Sequence, residues 1–530
     1  MPKQQTRTTG QSREKQARLE IGRTEVSHGV GVALAAFFIA LITAGFVALI
    51  GSPSTRGAIA GLFASGGTLK ERIDTSEDVI NRNFPAAVAL REPVQVALAE
   101  LGAGDEQVAV GKDGWLFYKP DVSALTDRGM DSAGGLMPLS PPEPAAVSSV
   151  KQFHDALEKR GVALILLPIP VKPGVHPDRL HANDFGDNSD TVIRARGFSF
   201  WRDALEKHGC TIFDVAPVLR DIRAERGAAY LKGDTHWTPE AMDAVAVALV
   251  GELDNNIKPT NIPSPPVESV AKEVTNVGDT AMMLALPDTH ELRTPETVEV
   301  RQVEFAKSGE ADVVLLGDSF SNIYSLEGMG WGADAGLAER LAFHLGRTVN
   351  AFIRNDGGAW GSRERFIQAL ARGQTSLENV KVVIWQFSER ELVHGNWKEM
   401  ALPEELAKSV KKTDATGTIR CTASVAAVSS GPKLDAPYSE FIIKWHVTGI
   451  TSVDGAEIPG EAVVLLHGMS ARKILPAAAV REGAEVSLKL SPWAEVENKY
   501  GSLNAGLLDD EMLEIELPLY WAEKADVAGQ

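Results

Sequence analysis

The stretch Val313-Val-Leu-Leu-Gly-Asp-Ser319-Phe-Ser is the most informative part of the sequence for the fold and for the position of Ser319. Four apolar residues predict a buried strand, and Gly317-Asp318-Ser319 then turns the chain sharply at the carboxyl end of that strand. Such a turn holds a serine at the rim of a parallel sheet, where α/β enzymes place their reactive groups. A serine in an ordinary strand-to-helix turn is the alternative, because a lone Gly-Asp-Ser is a common motif.

A second motif, Tyr230-Leu-Lys-Gly-Asp234-Thr-His236-Trp-Thr-Pro, contains the two residue types that would activate this serine. Serine is a poor nucleophile until a histidine accepts its proton and a carboxylate orients that histidine. The two motifs together therefore predict acyl transfer or ester hydrolysis by Ser319, His236 and Asp234. An Asp-His pair also occurs in purely structural hydrogen bonding, which is the alternative for this motif alone.

The chain contains a second Asp-Thr-His, at Asp288-Thr289-His290. It lies in a Pro-rich segment and lacks the Trp-Thr-Pro sequence that predicts a helix start directly after His236. Because catalysis requires a preorganised pair, we favour Asp234 and His236.

The sequence around both motifs alternates between apolar strands and amphipathic helices. The predicted strands are 162–169, 211–214, 312–317, 348–353 and 381–387; the predicted helices are 147–160, one ending near Lys207, one beginning after Thr238, 334–346 and 361–372. This alternation predicts a parallel sheet with helices on both faces, a three-layer α/β domain over residues 105–400. Residues 108–118 predict a β-hairpin that turns on Asp113-Gly114, and the Pro-rich residues 256–295 predict an irregular insertion or lid.

A different pattern follows a charged helical linker at 402–412. Short β-like runs over residues 415–530, ending in the alternating run 511–521, predict a β-sandwich or small barrel. Aromatic residues of such a domain can stack on sugar rings, although most are core; they are Trp445, Trp493, Tyr500, Tyr520 and Trp521.

The amino-terminal part of the chain predicts a membrane anchor. Residues 29–50 carry no charge and are long enough to span a bilayer as a helix, whereas a cleaved signal peptide, the alternative, has a shorter apolar core. Basic residues concentrate before this segment, which predicts a cytoplasmic tail at 1–28 and export of the rest; they are Arg13, Lys15, Arg18 and Arg23. Residues 51–104 are predicted to be a linker, flexible over 51–66, and a helical segment from 69 to 101 broken near Pro85 and Pro93.

Composition excludes other classes of function. The 530 residues carry a formal net charge of -18, and no basic cluster is dense enough to follow a nucleic acid backbone. The two cysteines, Cys210 and Cys421, form no disulfide framework, and no Cys/His spacing predicts a zinc site.

The two motifs together resemble a known family. Gly317-Asp318-Ser319 is similar to the first block of SGNH hydrolases, and the order Asp-x-His before Ser, with Gly111-Lys-Asp-Gly-Trp-Leu-Phe upstream, resembles periplasmic alginate O-acetyltransferases. The resemblance covers about residues 105–395 and implies an SGNH-like, flavodoxin-like fold.

Residue by residue, the resemblance implies Ser319 as nucleophile, His236 as general base and Asp234 as the residue that orients it. The oxyanion donors would be the backbone N–H of Ser319 and the glycines Gly357 and Gly358. Residues implied as substrate contacts are Arg354, Asn355, Lys172 and Trp237. A surface turn at 354–358 and a solvated lysine at 172 are the alternatives. Asp318 is expected to shape the turn and accept backbone N–H groups, and Arg390 is expected to organise loops through hydrogen bonds.

The function implied is O-acetylation of an exported polysaccharide, without a cofactor. Acetyl would come from a membrane-bound O-acyltransferase partner, since acetyl-CoA does not occur outside the cytoplasm. The enzyme would sit on the bacterial inner membrane with its catalytic domain in the periplasm, and its β-domain would be a carbohydrate-binding module. The alternatives are an SGNH-type acetyl esterase and a non-catalytic polysaccharide-binding or assembly protein.

Overall fold

The computed structural model describes most of the chain. The described residues are 28–63, 72–73, 76–77, 80, 84–126, 144–180, 191–256, 268–304, 311–355, 357–403, 418–432, 438, 440–453, 455, 458–501, 503–508 and 513–527. Residues 1–94 and 95–530 form separate compact units. The predictions of a cytoplasmic tail at 1–28 and of a helical linker at 402–412 fall almost entirely outside the described residues.

The first unit is built around one apolar helix. Helix α1, His28–Gly51, contains a 23-residue candidate span with a mean hydropathy of 2.6, long and apolar enough to cross a membrane. The flexible tether predicted over 51–66 is wrong in part, because α2 covers Pro53–Gly61. A proline in the first turn suits a helix start, since its missing N–H would have no partner there anyway. Helix α3, Pro85–Glu100, continues through Pro93.

The second unit begins with an α/β domain. Its elements are, in chain order, β1 (Val108–Val110), β2 (Leu116–Tyr118), α4 (Lys119–Thr126), α5 (Ala145–Glu158), β3 (Ala163–Ile169), α6 (Lys172–Val175), α7 (Pro177–Leu180), α8 (Phe198–Glu206), β4 (Thr211–Ile212), α9 (Ala216–Arg226), α10 (Pro239–Asn256), β5 (Glu268–Asn276), α11 (Asp279–Met283), β6 (Glu296–Glu304), β7 (Val313–Gly317), α12 (Ser319–Asn322), α13 (Leu337–Leu345), β8 (Val349–Ile353), α14 (Gly358–Ala371), β9 (Val382–Ser388) and α15 (Glu391–His394). Five of these strands form a fully parallel sheet in the order β4-β3-β9-β7-β8.

Each central strand of this sheet is buried on both faces. In β7, Val313 and Leu315 pack under α10 and α13, while Val314 and Leu316 face α5, α8 and α14. Strands covered on both faces are apolar over most of their length, which is why β3, β7 and the first four residues of β9 were recognisable as apolar runs. The structure confirms the predicted three-layer α/β fold.

The prediction that 256–295 is irregular is wrong for most of its described part. Strands β5 and β6 pair antiparallel along their whole length as a two-stranded ribbon, and the connection between them contains α11. Residues of β5 are mostly exposed, so the strand shows no apolar alternation that sequence could reveal. We call residues 268–304 the ribbon.

A closed β-barrel forms the carboxyl-terminal part. Its elements are β10 (Ile419–Val428), β11 (Phe441–Ser452), β12 (Glu461–Ser470), β13 (Lys473–Ile474), β14 (Glu485–Pro492), α16 (Trp493–Tyr500), α17 (Leu513–Glu516) and β15 (Leu519–Val527). The order β11-β10-β14-β15-β12 closes because β12 also pairs with β11. Among the described strands of the barrel, only β12 and β15 pair in parallel. The all-β prediction is thus confirmed in its barrel form.

The aromatic residues of this barrel are mostly interior. Trp445, Trp493, Tyr520 and Trp521 are at most 6% exposed, and only Tyr500 is half-buried, stacked on Trp521. They therefore do not form an exposed platform for sugar rings. The predicted strand 511–521 is also wrong at its start: α17 precedes Pro518, and β15 begins only after this proline, which has no N–H to donate to a sheet.

Candidate active site

The turn after β7 presents Ser319 as the first residue of α12. Asp318 caps this short helix, its Oδ1 accepting the N–H of Phe320 at 2.9 Å. The other oxygen, Oδ2, accepts the N–H of Ser388 at the end of β9, also at 2.9 Å. This confirms the structural role predicted for Asp318.

Gln386 on β9 holds the same turn, a role that was not predicted from the sequence. Its amide nitrogen donates to Asp318 Oδ1 at 2.8 Å, and its amide oxygen accepts from the Asp318 N–H at 3.1 Å and from the Ser321 hydroxyl at 2.6 Å. At Gly317 a Cβ would lie 2.3 Å from Ser321 Oγ, so only glycine fits beneath the turn. The side chains of Asp318 and Gln386 therefore hold the turn that carries Ser319.

His236 bridges Ser319 and Asp234. Its Nε2 lies 2.8 Å from Ser319 Oγ, and its Nδ1 lies 2.7 Å from Asp234 Oδ1. Side-chain exposure is 5% for His236 and 2% for Asp234, so both groups interact in a dry environment. The three residues of the two sequence motifs are thus assembled with the connectivity of a nucleophile, a base and an orienting carboxylate.

The loop that carries Asp234 and His236 is closed by its own backbone. The N–H of Leu231 donates to the carbonyl of His236, and the N–H of Thr238 donates to the carbonyl of Ala229. This small ladder turns the chain between Asp234 and His236, so that residues two apart face the same site. The N–H of His236 also donates to Asp234 Oδ1 at 3.1 Å, which fixes the carboxylate.

Asp234 is held from outside the loop by two residues that sequence reasoning missed. The indole of Trp331 donates to Asp234 Oδ2 at 2.8 Å, and the backbone N–H of Asp279 donates to the same oxygen at 3.0 Å. The Asp279 side chain accepts from the N–H of Thr235 at 2.7 Å, and its second oxygen lies 3.7 Å from His236 Nδ1. His236 therefore faces two carboxylates.

This arrangement shifts the pKa values of Asp234, His236 and Asp279. Burial alone would raise the pKa of Asp234, but the hydrogen bond and charge of His236, with the bonds from Trp331 and Asp279, lower it. Burial alone would lower the pKa of His236, but the hydrogen bond and charge of Asp234, with the charge of Asp279, raise it. Burial and the charge of Asp234 raise the pKa of Asp279. A proton arriving at His236 is therefore stabilised, as a general base requires.

Lys172 and Trp237, both predicted as substrate contacts, are buried, and their contact with substrate stays a prediction. Lys172 is fully buried, and its Nζ donates to the carbonyls of Leu116, Lys232 and Asp234 at 2.5, 2.8 and 2.9 Å. Trp237 is also fully buried and donates its indole N–H to the carbonyl of Phe320. Both side chains bind the backbone of the loops that carry Asp234 and Ser319.

Lys172→Met should lower the free energy of unfolding by about 2–4 kcal/mol, because two buried carbonyls, of Leu116 and Asp234, lose their ammonium donor. Thermal denaturation measures this loss. Lys207→Met, at the exposed end of α8, is the matched control and should change the midpoint little. Equal midpoints for the two variants would contradict the structural assignment of Lys172.

Arg354 and Asn355 follow β8 but differ in their surroundings. Arg354 is 7% exposed, pairs with Glu364 of α14 at 2.6 Å and lies over the Trp360 ring, so its predicted substrate contact is not supported. Asn355 accepts a hydrogen bond from Asn322, the last residue of α12, at 2.9 Å. Asn355 therefore lies beside the helix that Ser319 begins, and its substrate contact stays a prediction.

The two glycines predicted as oxyanion donors shape the start of α14. Gly357 has φ 79° and precedes the helix, and Gly358 has φ 53°. A Cβ on Gly358 would lie 1.9 Å from a carboxylate oxygen of Glu391, so the residue is packed against an acidic side chain. Their oxyanion role, like that of the Ser319 N–H, stays a prediction.

The second Asp-Thr-His is engaged elsewhere. The Asp288 side chain is 92% exposed and pairs with Arg293 at 2.9 Å. His290 Nδ1 accepts the N–H of Leu292 and caps a short 3-10 turn. These partners favour Asp234 and His236 over the alternative pair.

A buried ion pair lies next to the site. Arg390 donates to Asp121 at 2.9 Å, and its guanidinium lies 5.9 Å from the Phe320 ring and 5.7 Å from the Tyr118 ring. Burial raises the pKa of Asp121 against the opposing charge of Arg390. Arg390 thus joins α4 to the loop after β9, in agreement with the organising role predicted for it.

Residues 108–389 match a family model described as "SGNH hydrolase-like domain, acetyltransferase AlgX". Similar curated proteins include the probable alginate O-acetylase AlgJ of Pseudomonas aeruginosa, 27% identical over 314 residues, which are 54% of this chain and 71% of that protein. The alginate biosynthesis protein AlgX of Azotobacter vinelandii is 26% identical over 246 residues, 46% of this chain and 49% of that protein. A solved structure of the O-acetyltransferase domain of Pseudomonas putida AlgJ is 21% identical, with a TM-score of 0.41, and the alignment covers 54% of this chain and 91% of that one.

Proposed function

The chain belongs to the AlgX-type SGNH hydrolase-like acetyltransferase family, and we propose that it transfers acetyl groups through Ser319 to hydroxyls of an exported polysaccharide. The observation that carries this proposal is the continuous hydrogen-bonded series from Ser319 Oγ through His236 to Asp234, at 2.8 and 2.7 Å. The AlgJ relatives are named alginate O-acetylases, which supports a polysaccharide acceptor.

The proposed first step forms an acetyl-enzyme. Ser319 Oγ attacks the carbonyl carbon of the acetyl donor while His236 Nε2 takes the hydroxyl proton. The bond between the carbonyl carbon and the donor's leaving oxygen then breaks, and His236 returns the proton to that oxygen. Asp234 stabilises the transient imidazolium, and the N–H groups of Ser319, Gly357 and Gly358 are the proposed donors to the oxyanion.

The second step repeats this chemistry with a sugar hydroxyl. The hydroxyl loses its proton to His236 and attacks the acetyl-Ser319 carbonyl, and the Ser319 oxygen leaves with the proton that His236 returns. Water in place of the sugar would give an esterase, so access of the acceptor decides the outcome. Asn355 is the proposed acceptor contact, since it lies beside α12.

We further propose that α1 anchors the enzyme in the bacterial inner membrane with residues after 50 in the periplasm. The basic residues before α1 support this orientation, because cytoplasmic flanks carry an excess of Lys and Arg. Acetyl-CoA is absent from the periplasm, so the proposed donor is a membrane-bound O-acyltransferase.

Trapping the acetyl group tests the reaction class. The full-length protein in detergent is mixed with an activated acetyl ester, and mass spectrometry of its peptides should find acetyl on Ser319. Adding oligomannuronate should shorten the lifetime of this species and move acetyl to the sugar. Release of free acetate at a rate that the glycan does not change would establish an esterase, and no labelling of Ser319 under any condition would favour a non-catalytic binding protein.

A further inference from the structure

A cluster of two histidines and one aspartate lies outside the catalytic centre. His154 and Asp155 are adjacent on α5, and His208 follows α8. His208 Nε2 lies 2.7 Å from Asp155 Oδ1, and His154 Nδ1 lies 3.2 Å from the same oxygen. The two imidazole rings are 5.6 Å apart, edge to face. One donor atom from each residue lies within 4.8 Å of the others.

The cluster lies near the amino ends of the strands, whereas Ser319 lies at their carboxyl ends. His154 and Asp155 lie in the last two turns of α5, shortly before β3 begins, and His208 directly precedes β4. Ser319, in contrast, follows the carboxyl end of β7. Because strands of a parallel sheet share one direction, the amino ends that adjoin this cluster lie away from the reactive serine.

Buried neighbours hold the three side chains at this place. Phe153 and Leu157, on either side of the α5 pair, pack in the same apolar core as Leu205 and Cys210, which flank His208. Exposure decreases from 45% for the Asp155 side chain to 31% for His208 and 11% for His154. The histidine side chains are thus more enclosed than the carboxylate, and an ion could reach the group from solvent on the Asp155 side.

The donor set suits a divalent transition ion. Two imidazole nitrogens and one carboxylate oxygen are ligands that Zn²⁺ accepts, with water in a fourth position. With metal–ligand bonds of about 2.0–2.2 Å in a tetrahedron, donor atoms lie about 3.3 Å apart. The His154 to Asp155 separation already matches this spacing, and the His208 contact needs to open by about half an ångström, which a partly exposed side chain can supply.

We propose that His154, Asp155 and His208 form a binding site for Zn²⁺ or a related divalent transition ion that ties α5 to the turn between α8 and β4. Cys210 is not one of the residues whose ligand atoms come together in this cluster. No motif of short spacing marks this site, because 53 residues separate Asp155 from His208.

Zinc titration of the full-length protein, after treatment with a chelator, tests this site. The measurements are the number of zinc ions bound at saturation and the thermal midpoint with and without Zn²⁺. The wild type should bind one ion that a His154→Ala/His208→Ala variant does not bind, and only the wild type should gain thermal stability from it. The single variant His208→Asn should weaken binding by about tenfold or more. Ca²⁺, which prefers several oxygen ligands, should bind no better to the wild type than to the double variant.

Two controls separate this site from other zinc-binding groups. Asp234, His236 and Asp279 also bring ligand atoms together among the described residues, so His236→Ala must leave the proposed site intact and still bind zinc there. Asp203→Asn removes an exposed carboxylate of α8 and should leave zinc binding unchanged. Equal zinc binding by the wild type and the double variant, or no saturable binding by the wild type, would overturn the proposal.

Discussion

Ser319→Ala should lower the rate of polymer acetylation by about five to six orders of magnitude, the loss seen when the nucleophile of a Ser-His-Asp enzyme is removed. Alanine keeps the backbone of the turn, which Asp318 and Gln386 hold independently of the serine hydroxyl. The protein should therefore fold and accumulate normally. Acetyl content of the secreted polymer, measured in cells that express equal amounts of each variant, gives the result.

A double variant tests whether Ser319 and His236 act together. If Ser319 and His236 act as one unit, His236→Ala should be nearly as inactive, and the double variant no worse than either single one. Ser148→Ala, on the surface of α5, is the matched control and should acetylate normally. Wild-type acetylation by Ser319→Ala would remove the serine mechanism altogether.

Asp234→Asn should lower the rate by about 10,000-fold, because an amide can donate to His236 Nδ1 and hold the wrong tautomer against Ser319. That factor corresponds to about 5.5 kcal/mol of lost transition-state stabilisation. Asp288→Asn changes the other Asp-Thr-His in the same way and should alter the rate less than about twofold, because the Asp288 side chain is exposed and pairs with Arg293. The rates are compared at one pH with the acetyl ester as donor. The reverse order of the two variants would assign the base to the other copy.

The pH dependence of the rate tests the role of Asp234 independently. His236 must be neutral to accept a proton, so activity falls as pH decreases through its pKa. Asp234 and Asp279 raise this pKa against the effect of burial, which places the falling limb above the pH of an ordinary histidine. Asp234→Asn removes the charge that stabilises protonated His236, and burial then lowers the pKa of His236. The fall in the remaining activity should therefore occur at a lower pH. A limb that stays in place would show that Asp234 does not contact the titrating group.

Residues that repeat a local pattern were predictable, whereas those that act across the fold were not. Apolar runs such as residues 313–316 identified the strands, because both faces of the sheet are buried. Short motifs identified Ser319, His236 and Asp234, which the structure places in hydrogen-bond contact. Trp331 and Asp279 were missed because each is an isolated polar or aromatic residue far along the chain, with no spacing that links it to Asp234. The burial of Lys172 was not predictable: the resemblance implied a substrate contact, the alternative was a solvated lysine, and a sequence does not reveal burial.

The ribbon has a consequence for any attempt to exchange parts of this enzyme. The ribbon contacts the loop that carries Asp234. Glu296, the first residue of β6, accepts the N–H groups of Gly233 and Lys232 at 2.7 and 2.9 Å, and Asp279, in the connection between the strands, donates its backbone N–H to Asp234. Gly278 approaches the Gly233 carbonyl so closely that a Cβ would lie 2.4 Å from its oxygen. The ribbon is inserted between α10 and β7, but these contacts mean that it cannot be exchanged independently of the rest of the domain. A chimera that imports a relative's ribbon without the matching 232–236 loop would inherit a misaligned base, so the two segments should be grafted, shortened or evolved only as a single module.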